Sequence, residues 1–477
     1  MKKRGNIKMI GTKKGSDPLG SKPIGKLLAT YAIPSIVSMV VNALYNIVDQ
    51  IFIGQGVGYL GNGATNVILP ATIIAIGIGV LLGDGGAAYF SLSLGRGENE
   101  RASRGAGSVI TVSIISGVLF GLFSFMFLKP LCNIFGATEM ILPYALDYGR
   151  IIVIGFPFVI ISIALNSLIR ADGSPRYAMI SMITGAVINT ILDPIFIFVF
   201  DWGVTGAALA TILGQIVSCI ISLFYLRKFK SIKMKKEYYK PQAYALKNVC
   251  GLGTSSLITQ LAITMVVATL NNLLTKYGAL SKYGAEIPLT TLGITMKVNQ
   301  IMTSLVIGLA VGSQPIVGYN FGAGNMKRVK KTYLMTIGIA TIITTIGFCL
   351  FQFFPQAVIS IFGSESELYN EFAIKTLRIF LMFIMLNGFQ MCTGNFFQAI
   401  GKPFKAIALS MSRQIVLLLP AAIILPVFFG VEGILYAAPV ADILAFILAL
   451  VLIIDQIKKL NKLEKEETTE EVEVPQI

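Results

Sequence analysis

Histidine is absent from this sequence, and charged residues are scarce, at 13% of 477 residues. Without imidazole the chain cannot form a histidine metal site or a histidine proton relay, so any proton chemistry must use carboxylates. The five cysteines are scattered, lie mostly in apolar runs and show no CxxC spacing, which indicates small buried side chains. A nucleophile motif is missing as well, so an enzyme is the function class with the least support.

A nucleotide-binding motif is also lacking. The segment Gly20–Leu27, GSKPIGKL, is similar to a P-loop, but Leu27 stands where Ser or Thr is required and no strand precedes it. The sequence therefore does not support an ATP-driven pump. Nucleic-acid binding is disfavoured too, because the Lys and Arg residues behind the net charge of +15 lie in short clusters without interleaved aromatic residues.

Apolar residues dominate what is present. They make up 55% of the chain, with a mean hydropathy of +0.75, which indicates a polytopic membrane protein. The first 26 residues have no separate apolar core and no cleavage site, so we expect no cleaved signal peptide. Apolar runs between polar breaks predict an all-α fold with twelve transmembrane helices, near residues 27–53, 66–94, 105–128, 146–168, 177–200, 204–226, 248–275, 289–317, 332–353, 373–397, 405–428 and 433–455.

The Lys and Arg residues are concentrated in alternate connections between these helices. The positive-inside rule then places both termini in the cytoplasm, which an even number of spans also requires. We expect a multi-pass protein of the plasma membrane of a bacterium. The basic connections lie near residues 96–104, 170–176, 227–247, 327–331 and 402–405.

The two halves of the chain repeat each other at an offset of 227 or 228 residues. Six helices separate the copies, so the copies have the same orientation and should be related by a pseudo-two-fold axis along the membrane normal. Two six-helix lobes with a cavity between them are the architecture of a transporter. The matching segments are Ile134–Gly136 with Ile361–Gly363, Leu94–Arg101 with Phe321–Arg328, and Arg170–Ala178 with Gln398–Ala406.

These observations predict five regions along the chain. A cytoplasmic N-terminal tail, a basic cytoplasmic linker and a charged C-terminal tail flank the two lobes, and we leave the last residues, 461–477, without regular structure because they are rich in Glu and Thr. The predicted regions are the tail 1–26, the N-lobe 27–226, the linker 227–247, the C-lobe 248–457 and the tail 458–477.

Polar residues within the apolar runs of the N-lobe predict a cation site. Asp49 lies five residues before Gly54, about 8 Å below the membrane edge, and Asp193 and Thr211 lie at a similar depth. Asn189 shares a helix face with Asp193 at i, i+4 spacing. Two carboxylates, an amide oxygen and a hydroxyl suit Na⁺ or a proton shared by the two acids. The alternative is that Asn189, Asp193 and Thr211 only satisfy helix ends or one another.

The C-lobe carries a different set of charges: Lys297, Arg413 and Asp442. Lys297 and Asp442 each lie about 14–15 Å inside the membrane, so they form either a salt bridge with each other or two separate cavity-lining charges. Asp84, another acid in an apolar run, has glycine neighbours that favour close helix packing, so we interpret it as structural.

Several motifs in combination resemble the MATE (multidrug and toxic compound extrusion) family. They are the P-x14-D-x4-G pattern of Pro34, Asp49 and Gly54, LNSLIRADGSP and NTILDPIFIF in the first half, and QPIVGYNFGAGN at Gln314–Asn325. A segment just before QPIVGYNFGAGN, with the sequence VNQIMTSLVIGL, is most similar to the bacterial MepA-like branch. The resemblance covers residues 25–455.

The resemblance implies a V-shaped pair of six-helix lobes that exports cationic or amphipathic drugs in exchange for H⁺ or Na⁺. The cation network of the family corresponds to Asp49, Asn189, Asp193 and Thr211. Some members also carry acids in the seventh and tenth helices, whereas this chain has Gln260 in the first place and no acid in the second. We therefore assign ion coupling to the N-lobe alone.

The sequence thus predicts a secondary active multidrug exporter that works by alternating access, and no enzyme. We expect small-molecule drugs or organic cations as substrates, the bilayer as the surroundings, no nucleic-acid partner, no cofactor and a monomer. A lipid-linked oligosaccharide flippase is the main alternative, although it should have a more basic cavity than Lys297 and Arg413 provide. A third alternative function for the same architecture is that of an uptake transporter or a channel.

Overall fold

The computed structural model describes residues 18–361 and 366–472. These residues form a bundle of helices joined by short connections, and no β-strand occurs in them. Eleven helices there are long and apolar enough to span a membrane, and a twelfth span is a pair of helices bent by 44°. The prediction of twelve spans is therefore confirmed. The second copy of the repeated IFG motif, Ile361–Gly363, lies partly outside the described residues.

We number the spans α1–α12 in chain order. The fifth and eleventh spans each contain a π-helical segment beside a proline, Ile195–Val199 after Pro194 and Ser412–Leu418 before Pro420. The spans are α1 (Ile24–Val57), α2 (Tyr59–Gly95), α3 (Asn99–Met126), α4 (Leu142–Ala171), α5 (Pro175–Pro194), α6 (Gly203–Phe224), α7 (Ala243–Ala279), α8 (Glu286–Gly322), α9 (Met326–Phe353), α10 (Glu367–Phe380 with Ile384–Ala399), α11 (Pro403–Met411 and Leu419–Phe429) and α12 (Val431–Val472).

The sequence repeat corresponds to a repeat of turn geometry. Gly97 after α2 and Gly324 after α8 have φ values of 74° and 81°, and Gly173 after α4 and Gly401 after α10 have 85° and 75°. Such positive φ values favour glycine, because other residues place a Cβ against the backbone there. Equivalent helices in the two halves therefore end in the same way.

The two lobes, α1–α6 and α7–α12, meet along backbone-to-backbone contacts made by small residues. A Cβ added to Gly253 of α7 would lie 1.8 Å from the carbonyl oxygen of Leu81 in α2, and one added to Gly308 of α8 would lie 2.5 Å from Cα of Ile36 in α1. Small residues at such positions let helices approach closely in a membrane. Larger side chains of the two lobes, among them Tyr31 of α1 and Leu309 of α8, pack in one apolar cluster beside these contacts.

All the close glycine contacts between lobes in the described residues lie in one half of the bundle. They involve the second halves of α2 and α8 and the first halves of α1 and α7, next to the connections rich in Lys and Arg. We call this the basic end. Toward the opposite end, which we call the open end, the side of α8 that carries Gly308 is exposed at Thr290 and Gly293, and a Cβ on Gly293 would meet no atom within 4 Å, so the lobes leave a cleft between them there.

The segment predicted as a linker packs against the N-lobe at the basic end. Tyr238 is buried, and the hydroxyl of Thr111 donates a 2.6 Å hydrogen bond to the carbonyl of Tyr239. Asp172 accepts hydrogen bonds from the backbone N–H groups of Lys230 and Ser231, at 2.7 and 2.9 Å. The segment is therefore a docked part of the N-lobe surface.

The C-terminal tail differs from the prediction. Helix α12 continues to Val472, well beyond the predicted end at residue 455, because Lys and Glu favour helix and Glu464 forms an ion pair with Lys330 of α9. Residues 473–477 of the predicted tail lie outside the described residues, as do 1–17. Leu19 is buried at the basic end, where Asn320 donates a 3.0 Å hydrogen bond to its carbonyl.

Asp172 provides the first test, because it also accepts a 2.7 Å hydrogen bond from the hydroxyl of Tyr225. The change Asp172→Ala leaves three donors without their acceptor, which should weaken docking of the linker by about 2 kcal/mol and raise its open fraction roughly thirtyfold. Limited trypsin digestion at residues 227–247 should become correspondingly faster. Asp147→Ala, which removes an exposed carboxylate paired with Arg150, is the matched control, and equal cleavage rates in the two variants would contradict docking through Asp172.

Candidate functional site

The two acids that the sequence analysis singled out in the N-lobe meet inside the bundle. The carboxyl group of Asp49, on α1, lies beside that of Asp193, at the end of α5. Two carboxylates side by side repel each other in a medium of low polarity, which favours a positive charge shared between them. The pair can therefore hold a single positive charge, as a proton or as a small cation that replaces it.

Asn189 and Thr211 complete the predicted group. The amide nitrogen of Asn189 donates to Oδ1 of Asp193 at 3.3 Å and to the hydroxyl of Thr211, on α6, at 3.2 Å. The i, i+4 spacing on α5 places Asn189 and Asp193 on one face, and the return of the chain through α6 brings Thr211 beside them. The structure thus brings all four residues together.

Three oxygen atoms of this group have no hydrogen-bond partner among the described residues. They are Oδ1 of Asp49, Oδ2 of Asp193 and Oδ1 of Asn189, and all three are shielded from solvent. Buried polar atoms are rarely left unsatisfied, so unpaired acceptors at one place suggest a positively charged ligand. Oxygen donors of this kind suit Na⁺ or a proton. No group of three or more His, Cys, Asp or Glu residues that could hold a metal ion occurs in the described part of the chain.

Aromatic and apolar residues surround the acids. Tyr45, one turn before Asp49 on α1, and Tyr148 of α4 both interact electrostatically with Asp49 and Asp193. Phe52 and Phe198 form an edge-to-face pair with centroids 6.2 Å apart, between α1 and the π-helical segment. The sequence analysis did not identify these residues, although the i, i+4 spacing of Tyr45 and Asp49 was a visible signal.

Of the two alternatives for Lys297 and Asp442, the salt bridge between them does not form. Asp442 pairs with Arg413, whose Nε donates to Oδ1 of Asp442 at 2.7 Å, and the two side chains are only 3% and 15% exposed. Arg413 lies in the π-helical segment of α11 that packs against α12, which brings its guanidinium to the acid. Lys297 is half-buried and makes no hydrogen bond or ion pair with any residue that the structure describes.

Asp84 of α2 has the structural surroundings that the sequence predicts. Its carboxylate accepts hydrogen bonds from Ser167 of α4 at 3.1 Å and from Ser256 of α7 at 2.9 Å. Gln314 of α8 donates to its carbonyl at 3.2 Å. Asp84 therefore links the two lobes at the basic end.

Comparison with known proteins was made on this basis. A family model described as MatE matches residues 34–195 and 256–424, which cover most of both lobes. The chain belongs to the MatE family. The resemblance seen in the sequence is confirmed, and the match to both halves agrees with the internal repeat.

Individual relatives agree with this assignment. The multidrug export protein MepA of Staphylococcus aureus (strain MSSA476) is 26% identical over 440 residues, which cover 90% of this chain and 94% of the relative. MepA of Staphylococcus saprophyticus is 26% identical over 432 residues, which cover 89% and 92%. A solved structure described as the outward-facing conformation of a multidrug resistance MATE family transporter of the MOP superfamily has a TM-score of 0.87 at 25% identity, and covers 95% of this chain and all of that one.

The buried pair Arg413–Asp442 gives a stability prediction. Arg413→Ala leaves a carboxylate buried without its partner, which should lower the free energy of unfolding by about 3–5 kcal/mol. The double change Arg413→Met with Asp442→Leu removes both charges and should return the stability to near the native value. Thermal unfolding in detergent, followed by circular dichroism, compares the three proteins. A double variant as unstable as the single one would contradict the assignment.

Proposed function

We propose that the protein is a secondary active multidrug exporter, which exchanges cationic or amphipathic organic compounds for H⁺ or Na⁺ by alternating access. The observation that carries the proposal is the contact between Asp49 and Asp193 within the membrane-spanning helices, with buried oxygens left unpaired beside it. A lone carboxylate is costly in a membrane, and a pair at one point is a site for a positive charge. The names of the relatives, multidrug export proteins, agree with this function.

Helix α1 provides a physical link between the ion site and the lobe interface. Asp49 lies on α1, and the same helix contacts α8 of the C-lobe through Ala32 and Ile36. Pro34 lies between these two contact residues and leaves the helix one backbone hydrogen bond short, which eases bending there. A movement of α1 caused by cation binding would therefore change the packing of the two lobes.

The transport cycle requires the cation and the drug to bind the conformational states of the protein with different affinities. In the open state, with the cleft facing outward, a cation binds at Asp49 and Asp193, α1 moves, and the cleft loses affinity for the drug, which leaves. Because the coupling is reciprocal, drug binding from the other side must in turn weaken cation binding. Asn189 and Thr211 orient the acids and supply further oxygens to a metal ion.

The orientation and surroundings complete the proposal. The basic end faces the cytoplasm, in agreement with the positive-inside rule, and both termini lie there. The protein acts as a monomer in the plasma membrane of a bacterium. A lipid-linked oligosaccharide flippase is not favoured, because Asp442 neutralises Arg413 and leaves the cavity less basic than its sequence suggested.

Dye efflux from proteoliposomes tests the proposal when Na⁺ and pH gradients are imposed separately. One of the two gradients alone should drive efflux, and Asp49→Asn and Asp193→Asn should each reduce the driven rate by about tenfold or more, since neither variant retains the acid pair. Asp201→Asn, an exposed acid outside the spans, is the matched control. Full activity in Asp49→Asn, or efflux that needs no gradient, would refute ion-coupled export.

Thr211→Val identifies the ion in the same assay, because it removes a hydroxyl while keeping the side-chain shape. If Na⁺ is the driving ion, the concentration of Na⁺ needed for half-maximal rate should rise by about tenfold, since one oxygen ligand is lost. If H⁺ is the driving ion, the variant should stay near the native rate, because the acids still share the proton.

A further inference from the structure

The contacts at the basic end fix which side of α8 faces the N-lobe. A Cβ on Gly308 would lie 2.5 Å from Cα of Ile36, and one on Gly312 would lie 2.6 Å from Cα of Ala32. These glycines therefore mark the face of α8 that lies against α1. The same face continues along α8 toward the open end, where Thr290 and Gly293 are exposed and a Cβ on Gly293 would meet no atom within 4 Å.

Lys297 lies on this face. It precedes Gly308 by eleven residues, which is about three turns of α-helix and returns the side chain to nearly the same direction. Pro288 and Pro315, the prolines of α8, lie outside this stretch, so the helix is not interrupted between the two residues. Lys297 thus projects toward the cleft, about 16 Å from the Gly308 contact in the direction of the open end.

No acid of the described N-lobe lies opposite Lys297 on α1. Asp49 follows Ile36 by thirteen residues, about 3.6 turns, so it lies on the far side of α1 and is turned to Asp193. In the C-lobe, Asp442 is already paired with Arg413. Lys297 has no ionic or hydrogen-bonding partner among the described residues, although it lies inside a membrane-spanning helix.

We propose that Lys297 binds an anionic group of the exported compound, a carboxylate in the first place. An ammonium group that has no counter-ion in a cleft of low polarity is stabilised when a ligand with an anionic group binds beside it. The substrate class of the exporter then includes amphipathic zwitterions and organic anions. This inference rests on the proposed function and specifies the compounds that it handles.

The cleft has one side formed by the N-lobe and one formed by the C-lobe, and the different charges of these two sides orient the ligand. The N-lobe acids lie behind α1 and hold the coupling ion, whereas Lys297 faces the cleft directly. A bound zwitterion therefore places its carboxylate toward α8 and its apolar body between the lobes. The cation site and the substrate site are then on different sides of α1, so that they communicate through this helix and do not compete for one carboxylate.

A matched pair of fluorescent dyes tests the inference: a rhodamine with a free carboxylate and the methyl ester of the same dye. Binding to the purified full-length protein in nanodiscs of neutral lipid is measured by fluorescence anisotropy. The native protein should bind the carboxylate dye more tightly than the ester. Lys297→Gln should weaken binding of the carboxylate dye by about five- to tenfold and leave the ester within about twofold, as expected for loss of one partly solvated ion pair.

Two further variants separate a direct contact from a general charge effect. Lys297→Arg keeps the positive charge and should keep most of the preference for the carboxylate dye. Lys276→Gln removes an exposed lysine near the open end of α7 and should leave both affinities unchanged. Equal losses for the two dyes in Lys297→Gln, or an equal effect of Lys276→Gln, would overturn the inference.

The lipid headgroup is the other source of an anion, and nanodiscs that contain phosphatidylglycerol distinguish it. Competition by this lipid that disappears in Lys297→Gln would assign the site to lipid and overturn its assignment to substrate. The outcome is independent of the proposed function, since efflux of the ester dye reports on export. Export of the ester without a preference for the carboxylate dye would refute this inference alone, whereas no export of either dye would refute the proposed function.

Discussion

The structure depends on the cost of placing two carboxyl groups inside a membrane. Asp49 and Asp193 lie beside each other, and each keeps a buried oxygen without a hydrogen-bond partner in the described part of the chain. Such an arrangement is stable only when the pair holds a positive charge, because two bare carboxylates repel each other in a medium of low polarity. Asn189 adds a donor that orients the pair. The group has the properties of a site that is loaded and unloaded during transport.

The same helix that carries Asp49 forms part of the lobe interface. On α1, Ala32 and Ile36 lie so close to Gly312 and Gly308 that a Cβ at either glycine would overlap them, so a small displacement of α1 cannot be absorbed by side-chain rearrangement. Packed backbones of this kind tend to have a few discrete arrangements. Asp84 adds hydrogen bonds between the lobes at the same end. In the proposed mechanism, closure of the basic end and occupancy of the acid pair are therefore linked through α1.

Much of the architecture could be predicted because hydropathy and internal repeats can be read from the sequence without knowledge of tertiary contacts. The twelve spans and the meeting of Asp49 with Asp193 followed from counting residues along helices of known rise. The pairing of Lys297 with Asp442 was wrong because equal depth does not determine the direction in which a side chain points. Arg413 reaches the acid from a π-helical segment, which no count of residues at 3.6 per turn locates.

Other features depended on tertiary contacts. The basic linker has the composition of a solvated segment, yet Asp172 fixes it to the N-lobe through backbone N–H groups that any residue could supply. Tyr148 comes near the acids only because α4 packs against α2 and α6 and along part of α5. The extension of α12 to Val472 was missed because its Glu-rich composition also suits a disordered tail, and the ion pair of Glu464 is a long-range contact.

The most direct test of the account is a distance between the lobes at the open end, measured as the coupling ion binds. Spin labels at Met140 of the N-lobe and Leu280 of the C-lobe, both exposed, report this distance in a background without cysteine by pulsed electron resonance. The account predicts that adding the driving cation changes the distance distribution in the native protein and leaves it unchanged in Asp49→Asn with Asp193→Asn. The same change in both proteins would show that the acid pair does not control the lobes.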